Sequence, residues 1–274
     1  ALLASGMLIS QMNIVRKQVS AVKGGKLAAA VYPAKLLTLT ISDVPGDDPS
    51  EIASGPTVGS TATAAMALAA LKQWKVALPD DIMQVITNAP APIAPNDPCL
   101  STSETRIIAA PAQSLAAAAQ LAGDIDVRIL GDAIEGEARN LGQAHAALAM
   151  QIAAEKNTRP VLLLSGGECT VTRRGNGIGG PNAEYVLAVG HVLNGHPQIH
   201  VLACDTDGVD GAAEVAGAYA GPDMQNLAKA QRVSSQAALE ENDAHSFFDK
   251  IGGQIVTGPT LTNVNDFRAI LILP

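Results

Sequence analysis

Aspartates 205, 207 and 210 stand in the string ACDTDGVDG, directly after an apolar run, Ile199 to Cys204, with the length and composition of a buried strand. Carboxylates crowded at one strand end repel one another, and a divalent cation suits them better than a single ribose hydroxyl does. Upstream, the apolar run Val161 to Leu164 opens into Ser165-Gly166-Gly167-Glu168, where two glycines after a strand let backbone N–H groups face an anion. Gly175, Asn176, Gly177, Ile178, Gly179 and Gly180 then lead to Pro181 at an expected first helical position, and Asn182 opens a helix running to about Val192. Glycine loops that hold anions near carboxylates that hold a cation form the pairing that phosphoryl transfer requires. A further loop, TGPTLTNVND, gathers Thr257, Thr260, Thr262, Asn263, Asn265 and Asp266, more hydroxyl and amide groups than one turn needs, and reads as a binding loop.

Such loops need strands and helices to aim them. Arg106 to Ala110, Asp126 to Leu130 and Val161 to Leu164 read as strands, with helices at Pro111 to Ala122 and Glu135 to Lys156 between them. That alternation predicts βαβ units and a mostly parallel sheet covered on both faces. Ile134, Ala138, Leu141, His145, Leu148 and Ile152 recur at helical steps as one apolar stripe, so His145 is read as a core residue. Asp223 to Gln231, Gln236 to Glu241 and His245 to Lys250 are helical candidates, and Gln254 to Val256 and Phe267 to Leu273 are strands. In the first third, Lys35 to Ile41 is a strand that ends in SDVPGDD, and Thr61 to about Lys75 is a helix carrying Trp74 as a packing residue. Pro79 to Pro98, with APAPIAP inside it, blocks helix and ladder alike and reads as a linker with a domain boundary at 96/97. Ala1 falls inside what reads as a helix, so the chain is expected to begin partway through a larger domain.

A chain of 274 residues, 47% hydrophobic, can fill one large or two ordinary α/β cores. Net charge of −8 and 3% aromatics exclude the basic footprint and the stacking platform of a nucleic-acid binder. No apolar run approaches the roughly 20 residues of a membrane helix. The scattered cysteines at 99, 169 and 204 argue for a reducing, cytoplasmic setting without a disulfide framework. Nucleophile-elbow, zincin and P-loop patterns are absent from the sequence. Against this acidic background Arg16, Lys17, Lys23 and Lys26 crowd into eleven residues, either as a solvated helix face or as an anion site.

Gly175, Gly177 and Gly180 also satisfy G-x-G-x-x-G, with Asp205 at the end of the next strand, which keeps a nicotinamide-dependent reductase open as a rival. The preceding ECTVTRR alternates like a hairpin or edge strand, whereas the dinucleotide motif follows a fully buried one.

SGGECTVTRRGNGIGGPNAEYVLAVG, ACDTDGVDG and TGPTLTNVNDFRAILI resemble the C-terminal half of the glycerate 2-kinase family, and NIVRKQVSAVKGGKLA with ISDVPGDDPSEIASGPT resembles the later part of its N-terminal domain. The resemblance implies two three-layer α/β domains with a cleft between them, the first one incomplete, and ATP-dependent phosphorylation of D-glycerate at its 2-hydroxyl. Some members are named hydroxypyruvate reductases. Two departures are visible: the family's opening segment, with its lysine and glycine/serine-rich loop, does not precede Ala1, and Ile178 stands where the family often has arginine. On this reading Ser165, Gly166, Gly167, Glu168, Gly175, Gly177, Gly179, Gly180, Asn182, Thr257, Thr260 and Asn263 bind ATP or order the loop that does. Asp205 and Asp207 bind Mg²⁺, with Arg16, Lys23 and Asp205 as the catalytic group and Arg16 on the substrate carboxylate or a phosphate. The partners implied are glycerate and a nucleotide, with self-association left open, and a catalytically silent domain is the third reading.

Overall fold

The structure, a computed structural model, describes residues 1–155, 157–211 and 213–274, and the chain divides into two compact units, Ala1–Ile108 and Ala109–Pro274. The first unit contains α1 (Ile9–Val19), α2 (Lys26–Val31), β1 (Leu36–Ile41), α3 (Ala64–Gln73), α4 (Asp80–Thr87) and β2 (Ser103–Ala109), whose last residue lies just past the division. Helices α1, α3 and α4 enclose Met12, Val15, Ala67, Leu71 and Ile86. Helix α3 begins where the Thr63 hydroxyl accepts the Met66 N–H at 3.2 Å, satisfying one of the free donors of its first turn. The helix expected from Ala1 is interrupted by Gly6, which takes the left-handed conformation (φ 73°) after a short 3₁₀ turn at Leu3–Ser5.

Not all of Pro79–Pro98 is a linker, because α4 fills its first part. Asp80 and Asp81 stand in the first turn of α4, where acids face free N–H groups, and Ile82, Met83 and Ile86 turn into the core. The division between units falls at 108/109 rather than 96/97 for a similar reason. Strand β2 pairs with β1, and the Leu36 N–H donates to the Thr102 carbonyl at 3.0 Å, which ties the chain beyond the prolines back to the first unit.

In the second unit the elements are α5 (Pro111–Leu121), β3 (Asp126–Gly131), β4 (Gly136–Glu137), α6 (Ala138–Ala154), β5 (Val161–Gly167), β6 (Cys169–Thr170), α7 (Pro181–Leu193), β7 (Ile199–Asp205) and β8 (Gly217–Ala220). They continue with α8 (Met224–Ala230), α9 (Ser235–Glu240), α10 (Ala244–Ile251), β9 (Gln254–Ile255) and β10 (Asp266–Ile272). A six-stranded sheet runs in the order β3-β5-β10-β7-β8-β9. Strands β3, β5, β7 and β9 share one direction, as the alternation of strands and helices leads one to expect. The pairing differs: β10 slots between β5 and β7 and runs against both, so only β3 and β5 form a parallel pair within this sheet among the described residues. No local sequence signal announces that insertion.

The sheet is covered on both faces. Val161 and Leu163 of β5 face the core shared with α6 and α7, while Leu164 meets Leu115 of α5 and Ala269 of β10. Helix α7 is the central helix, with ten of its thirteen residues buried. Helix α6 crosses it closely at Gly142, where a Cβ would lie 2.7 Å from the Tyr185 carbonyl oxygen. On the predicted stripe, His145 is 8% exposed and shares a 2.8 Å hydrogen bond with the Tyr185 hydroxyl, the core role expected of it. Burial pushes its imidazole down to about 4. Helix α6 starts three residues later than expected because Gly136–Glu137 pairs with β6 instead, and the expected end at Lys156 lies outside the described residues. Strand β8 was not legible. It has four residues, GAYA, and Gly217 lets it approach β7 so closely that a Cβ would stand 2.8 Å from the Ala203 carbonyl carbon. Among the described residues no helix is long and apolar enough to cross a membrane.

Candidate active site

Strands β5 and β7 end, and β10 begins, at the same end of the sheet, which places Asp266 in register with Gly167 on one side and Asp205 on the other. The Asp266 carboxylate is enclosed by donors. Its Oδ1 accepts Asn182 Nδ2 at 2.6 Å, and its Oδ2 accepts the Cys169 N–H at 3.2 Å and Arg268 Nη2 at 2.5 Å. Arg268, 1% exposed, also donates to the carbonyls of Gly166 (3.1 Å) and Gly167 (3.3 Å) and lies 5.7 Å over the Tyr185 ring. Burial raises the Asp266 carboxyl, and the Arg268 charge opposes that rise. Arg268 organises this end of the sheet, and sequence reasoning missed it. The available signal was an arginine inside the otherwise apolar strand FRAILI, a residue that is rarely buried without a partner.

Asp210 closes the first turn of α7. Its Oδ1 accepts the Asn182 N–H at 2.9 Å, its Oδ2 accepts the Ala183 N–H at 2.8 Å, and His245 Nε2 lies 3.1 Å from both its backbone oxygen and its carboxylate. Free N–H groups at a helix start attract an anion, and here the chain supplies its own. Asn182 is therefore engaged by Asp210 and Asp266 within the protein. The glycine loop is engaged as well: Gly177 N–H donates to the Glu241 carbonyl at 2.9 Å, Gly175 N–H to Asn242 Oδ1 at 3.1 Å and Ile178 N–H to Asp243 Oδ1 at 2.9 Å. A Cβ on Gly177 would fall 2.6 Å from Asp243 Cα, and one on Gly179 would fall 2.7 Å from the Asn242 carbonyl oxygen. A Cβ on Gly180 would collide with Asp210, and one on Gly175 with Glu241. These glycines admit protein backbone rather than a phosphate. Of the two roles expected for Gly175, Gly177, Gly179 and Gly180, ordering the loop is the one the packing favours.

Gly166 and Gly167 follow the same logic. The Gly166 carbonyl accepts the Ile134 N–H at 3.0 Å, and Gly167, with φ 112°, leaves room for Ala133 and Ile134 to cross it. Ser165 is 2% exposed within the strand, whereas Glu168 is exposed at its end. A measurable consequence separates packing from ligand binding. Gly177→Ala should lower the unfolding free energy by about 1–3 kcal/mol, the usual range for overpacking, as read by urea denaturation; a phosphate-cradling glycine would instead lose nucleotide affinity at unchanged stability.

Asp205 and Asp207 form the open part of this end. Asp205 Oδ1 accepts the Asp207 N–H at 3.0 Å, Asp207 Oδ1 accepts the Val209 N–H at 2.7 Å, and Asn263 Nδ2 reaches Asp207 Oδ2 at 3.4 Å. Loop 257–263 is fastened to them: the Thr260 N–H donates to the Asp207 carbonyl at 2.9 Å and its hydroxyl to the Thr206 carbonyl at 2.5 Å. Thr257, Thr260 and Asn263 are exposed beside the half-buried aspartates. Burial, with the nearby charges of Asp207 and Asp266 adding to it, pushes the Asp205 carboxyl up to about 7. No group of three acid, histidine or cysteine side chains able to hold a metal occurs among the described residues. Magnesium commonly takes one or two protein carboxylates with water and substrate oxygens, so the Asp205–Asp207 pair fits that ion on donor chemistry.

Arg16 and Lys23 belong to the first unit. Arg16 Nη1 donates to Asn13 Oδ1 at 3.2 Å and Lys23 Nζ to the Ala53 carbonyl at 2.5 Å. Their neighbours are structural rather than a solvated face. Lys17, 6% exposed, pairs with Glu51 at 2.8 Å, and Lys26 Nζ donates to the Lys17 and Ser20 carbonyls at the C-terminal end of α1. Lys17 and Glu51 line a cavity of about 480 Å³ within this unit, together with Asp48, Ser50 and Ser60.

Carboxylates and a hydroxyl-rich loop at the tips of α/β strands stand where such sheets hold their small-molecule ligands. Residues 161–266 match the MOFRL family and residues 1–87 match a domain of unknown function, DUF4147. Over 99% of its length the chain is 46% identical to an Agrobacterium vitis protein provisionally named hydroxypyruvate reductase, of which it covers 63%. It is 33% identical over 100% of its length to the D-glycerate 2-kinase of Thermotoga maritima, covering 65% of that protein. A crystal structure of a Thermotoga maritima glycerate kinase superposes with a TM-score of 0.90 at 32% identity, over 99% of this chain and 65% of that one. The chain belongs to the glycerate kinase family. It spans less than two thirds of the length of these three relatives.

Proposed function

We propose that the protein phosphorylates D-glycerate at its 2-hydroxyl with ATP, giving 2-phosphoglycerate and ADP. The observation that carries this reading is the Asp205–Asp207 pair, bounded by Thr260 and Asn263, at the strand tips of a chain that aligns over its whole length with a D-glycerate 2-kinase. Asp205 and Asp207 would hold Mg²⁺, which when bound neutralises charge on the transferred phosphoryl group. Without a cation Asp205 titrates near neutrality, so its carboxylate can also take the proton of an attacking hydroxyl. Either role needs the ionised form. Thr257, Thr260 and Asn263 supply hydroxyl and amide groups to a polar ligand, and Arg16 with Lys23 is assigned to an anionic group of the substrate, since a guanidinium fork matches a carboxylate. Three free cysteines accord with a reducing cytoplasm.

The name of the Agrobacterium relative favours a second reading, NAD(P)H-dependent reduction of hydroxypyruvate. Its dinucleotide loop would be GNGIGG, and the engagement of that loop by residues 241–243, with Asp210 on the start of α7, speaks against it. The two readings part in one experiment on the purified chain. Mg-ATP with D-glycerate should yield a phosphomonoester that ³¹P NMR assigns to the 2-position. Oxidation of NADH or NADPH by hydroxypyruvate with no phosphoglycerate formed would overturn the kinase reading, and a chain with neither activity would be a silent domain.

A further inference from the structure

We propose that Arg173 and Arg174 form a recognition pair for phosphate groups, held in place by an Arg139–Glu184–Asn242 relay whose acid and amide are buried. The inference deepens the kinase reading, in which the phosphates are those of a nucleotide. Both arginines are exposed, adjacent and on the loop that leaves β6, in a chain of net charge −8. Among the described residues neither belongs to an ion pair. Two of the acids this loop meets are engaged by hydrogen bonds: Glu137 accepts the Thr172 N–H and hydroxyl, and Asp243 Oδ1 accepts the Ile178 N–H and the Ser246 hydroxyl, while Glu241 meets the loop through its backbone carbonyl. Unpaired exposed arginines in an acidic protein are a local source of attraction for an anion, and the guanidinium fork matches phosphate oxygens.

What distinguishes this pair from ordinary surface arginines is the anchoring beneath it. Asn242, 4% exposed and in the left-handed region (φ 52°), accepts the N–H of Arg174 at 2.7 Å and of Gly175 at 3.1 Å on the same oxygen. Its Nδ2 donates to Glu184 Oε2 at 2.9 Å. Glu184, 1% exposed in α7, accepts Arg139 Nη2 of α6 on its other oxygen at 3.1 Å, and Arg139 also donates to the Leu239 carbonyl. A largely desolvated ion pair is costly to build, and its sequence of bonds ends on the backbone that carries the two arginines. Arg173 is fixed once more from its side chain, by Nε donating to the Gly175 carbonyl at 3.2 Å. Its terminal nitrogens remain for a ligand. Holding these groups in advance reduces the ordering cost that a flexible arginine loop would meet on binding.

Calorimetric titration of the full chain at low salt, with sodium tripolyphosphate and separately with ATP, tests the pair. Tripolyphosphate should bind, its affinity should fall with added salt, and Arg173→Ala/Arg174→Ala should weaken it by about tenfold or more. Arg173→Lys/Arg174→Lys should recover part of the loss, because lysine keeps the charge without the fork. Asn242→Ala should weaken tripolyphosphate binding too and speed tryptic cleavage after Arg173 and Arg174. The relay is overturned if that variant loses thermal stability yet keeps wild-type affinity. The pair is overturned if the wild type binds no tripolyphosphate, or if the double alanine variant binds it as the wild type does. ATP binding tighter than tripolyphosphate identifies a nucleotide as the source of the phosphates. Failure of this inference is distinguishable from failure of the kinase reading. A chain that makes no phosphoglycerate but binds tripolyphosphate through these arginines keeps the pair, and a double variant with full kcat/KM for ATP keeps the kinase.

Discussion

Arg268→Met should lower the unfolding free energy by about 3–5 kcal/mol, the range seen when one partner of a buried ion pair is removed and its counter-charge remains. Methionine replaces the aliphatic volume, so the effect reads the lost charge and hydrogen bonds rather than a cavity. Three groups would be left behind: the Asp266 carboxylate, now without its 2.5 Å guanidinium partner, and the Gly166 and Gly167 carbonyls. Asp266 already carries a carboxyl raised by burial, and loss of the Arg268 charge raises it further. Adding Asp266→Asn should restore part of the stability, because the amide oxygen still accepts the Cys169 N–H while the buried charge is gone. Non-additivity of about 1–3 kcal/mol between the two substitutions is the mark of direct contact. The measurement is urea denaturation by circular dichroism, with hydrogen exchange of the β5 and β10 amides to localise the loss. A change below about 1 kcal/mol would return Arg268 to an ordinary strand position.

The same residue shows where local sequence stops being informative. Strands β5 and β7 and helix α7 were legible because their signals are local: apolar runs bounded by glycine or aspartate, and a proline at a first helical turn. Strand β10 was legible as a strand, yet its place between β5 and β7 depends on partners about a hundred and about sixty to seventy residues upstream, respectively, which no periodicity encodes. The loop reading GNGIGG illustrates a second limit. Sequence reveals that a Cβ is excluded but not by what, and here Glu241–Asp243 and Asp210 do the excluding. Asp210 likewise read as one of three carboxylates crowded at a strand end, whereas it closes the first turn of a helix nearly thirty residues upstream, a contact that exists only after the sheet is assembled. Helix α4 was hidden by its neighbours, because a proline-rich stretch on one side led the whole segment to be read as linker. The Asp205–Asp207 pair and the threonine- and asparagine-rich loop fared better: the structure brings them together as hydrogen-bonded neighbours.

Asp205→Asn should make the protein more stable and deprive it of activity. The Asp205 carboxyl is pushed up to about 7 in the folded chain, against about 3.9 in an unfolded one. Below pH ~4 both states hold the proton and the site costs nothing. As pH rises from about 4 to about 7 the unfolded chain releases its proton first, so folding stability declines through this window and the loss is complete above it. A rise of this size corresponds to roughly 4 kcal/mol, and solvent screening at a half-buried side chain reduces that to about 1–2 kcal/mol. Asparagine keeps an oxygen for the Asp207 N–H and carries no charge to desolvate. The variant should therefore be about 1–2 kcal/mol more stable than the wild type at pH 8, with the gap closing toward pH 4. His145 acts in the opposite sense, because its buried imidazole resists protonation while the unfolded one accepts a proton between about 6.5 and about 4, and this contribution cancels in the difference between variants. Activity goes the other way. A neutral amide neither binds Mg²⁺ as a carboxylate does nor accepts the hydroxyl proton, so kcat/KM for phosphorylation of glycerate should fall by about a hundredfold or more. Thermal denaturation from pH 4 to pH 8 and steady-state kinetics on the same preparation read both effects. A variant less stable than the wild type at pH 8 would sink the desolvation argument, and one retaining kcat/KM within about threefold would remove Asp205 from the reaction.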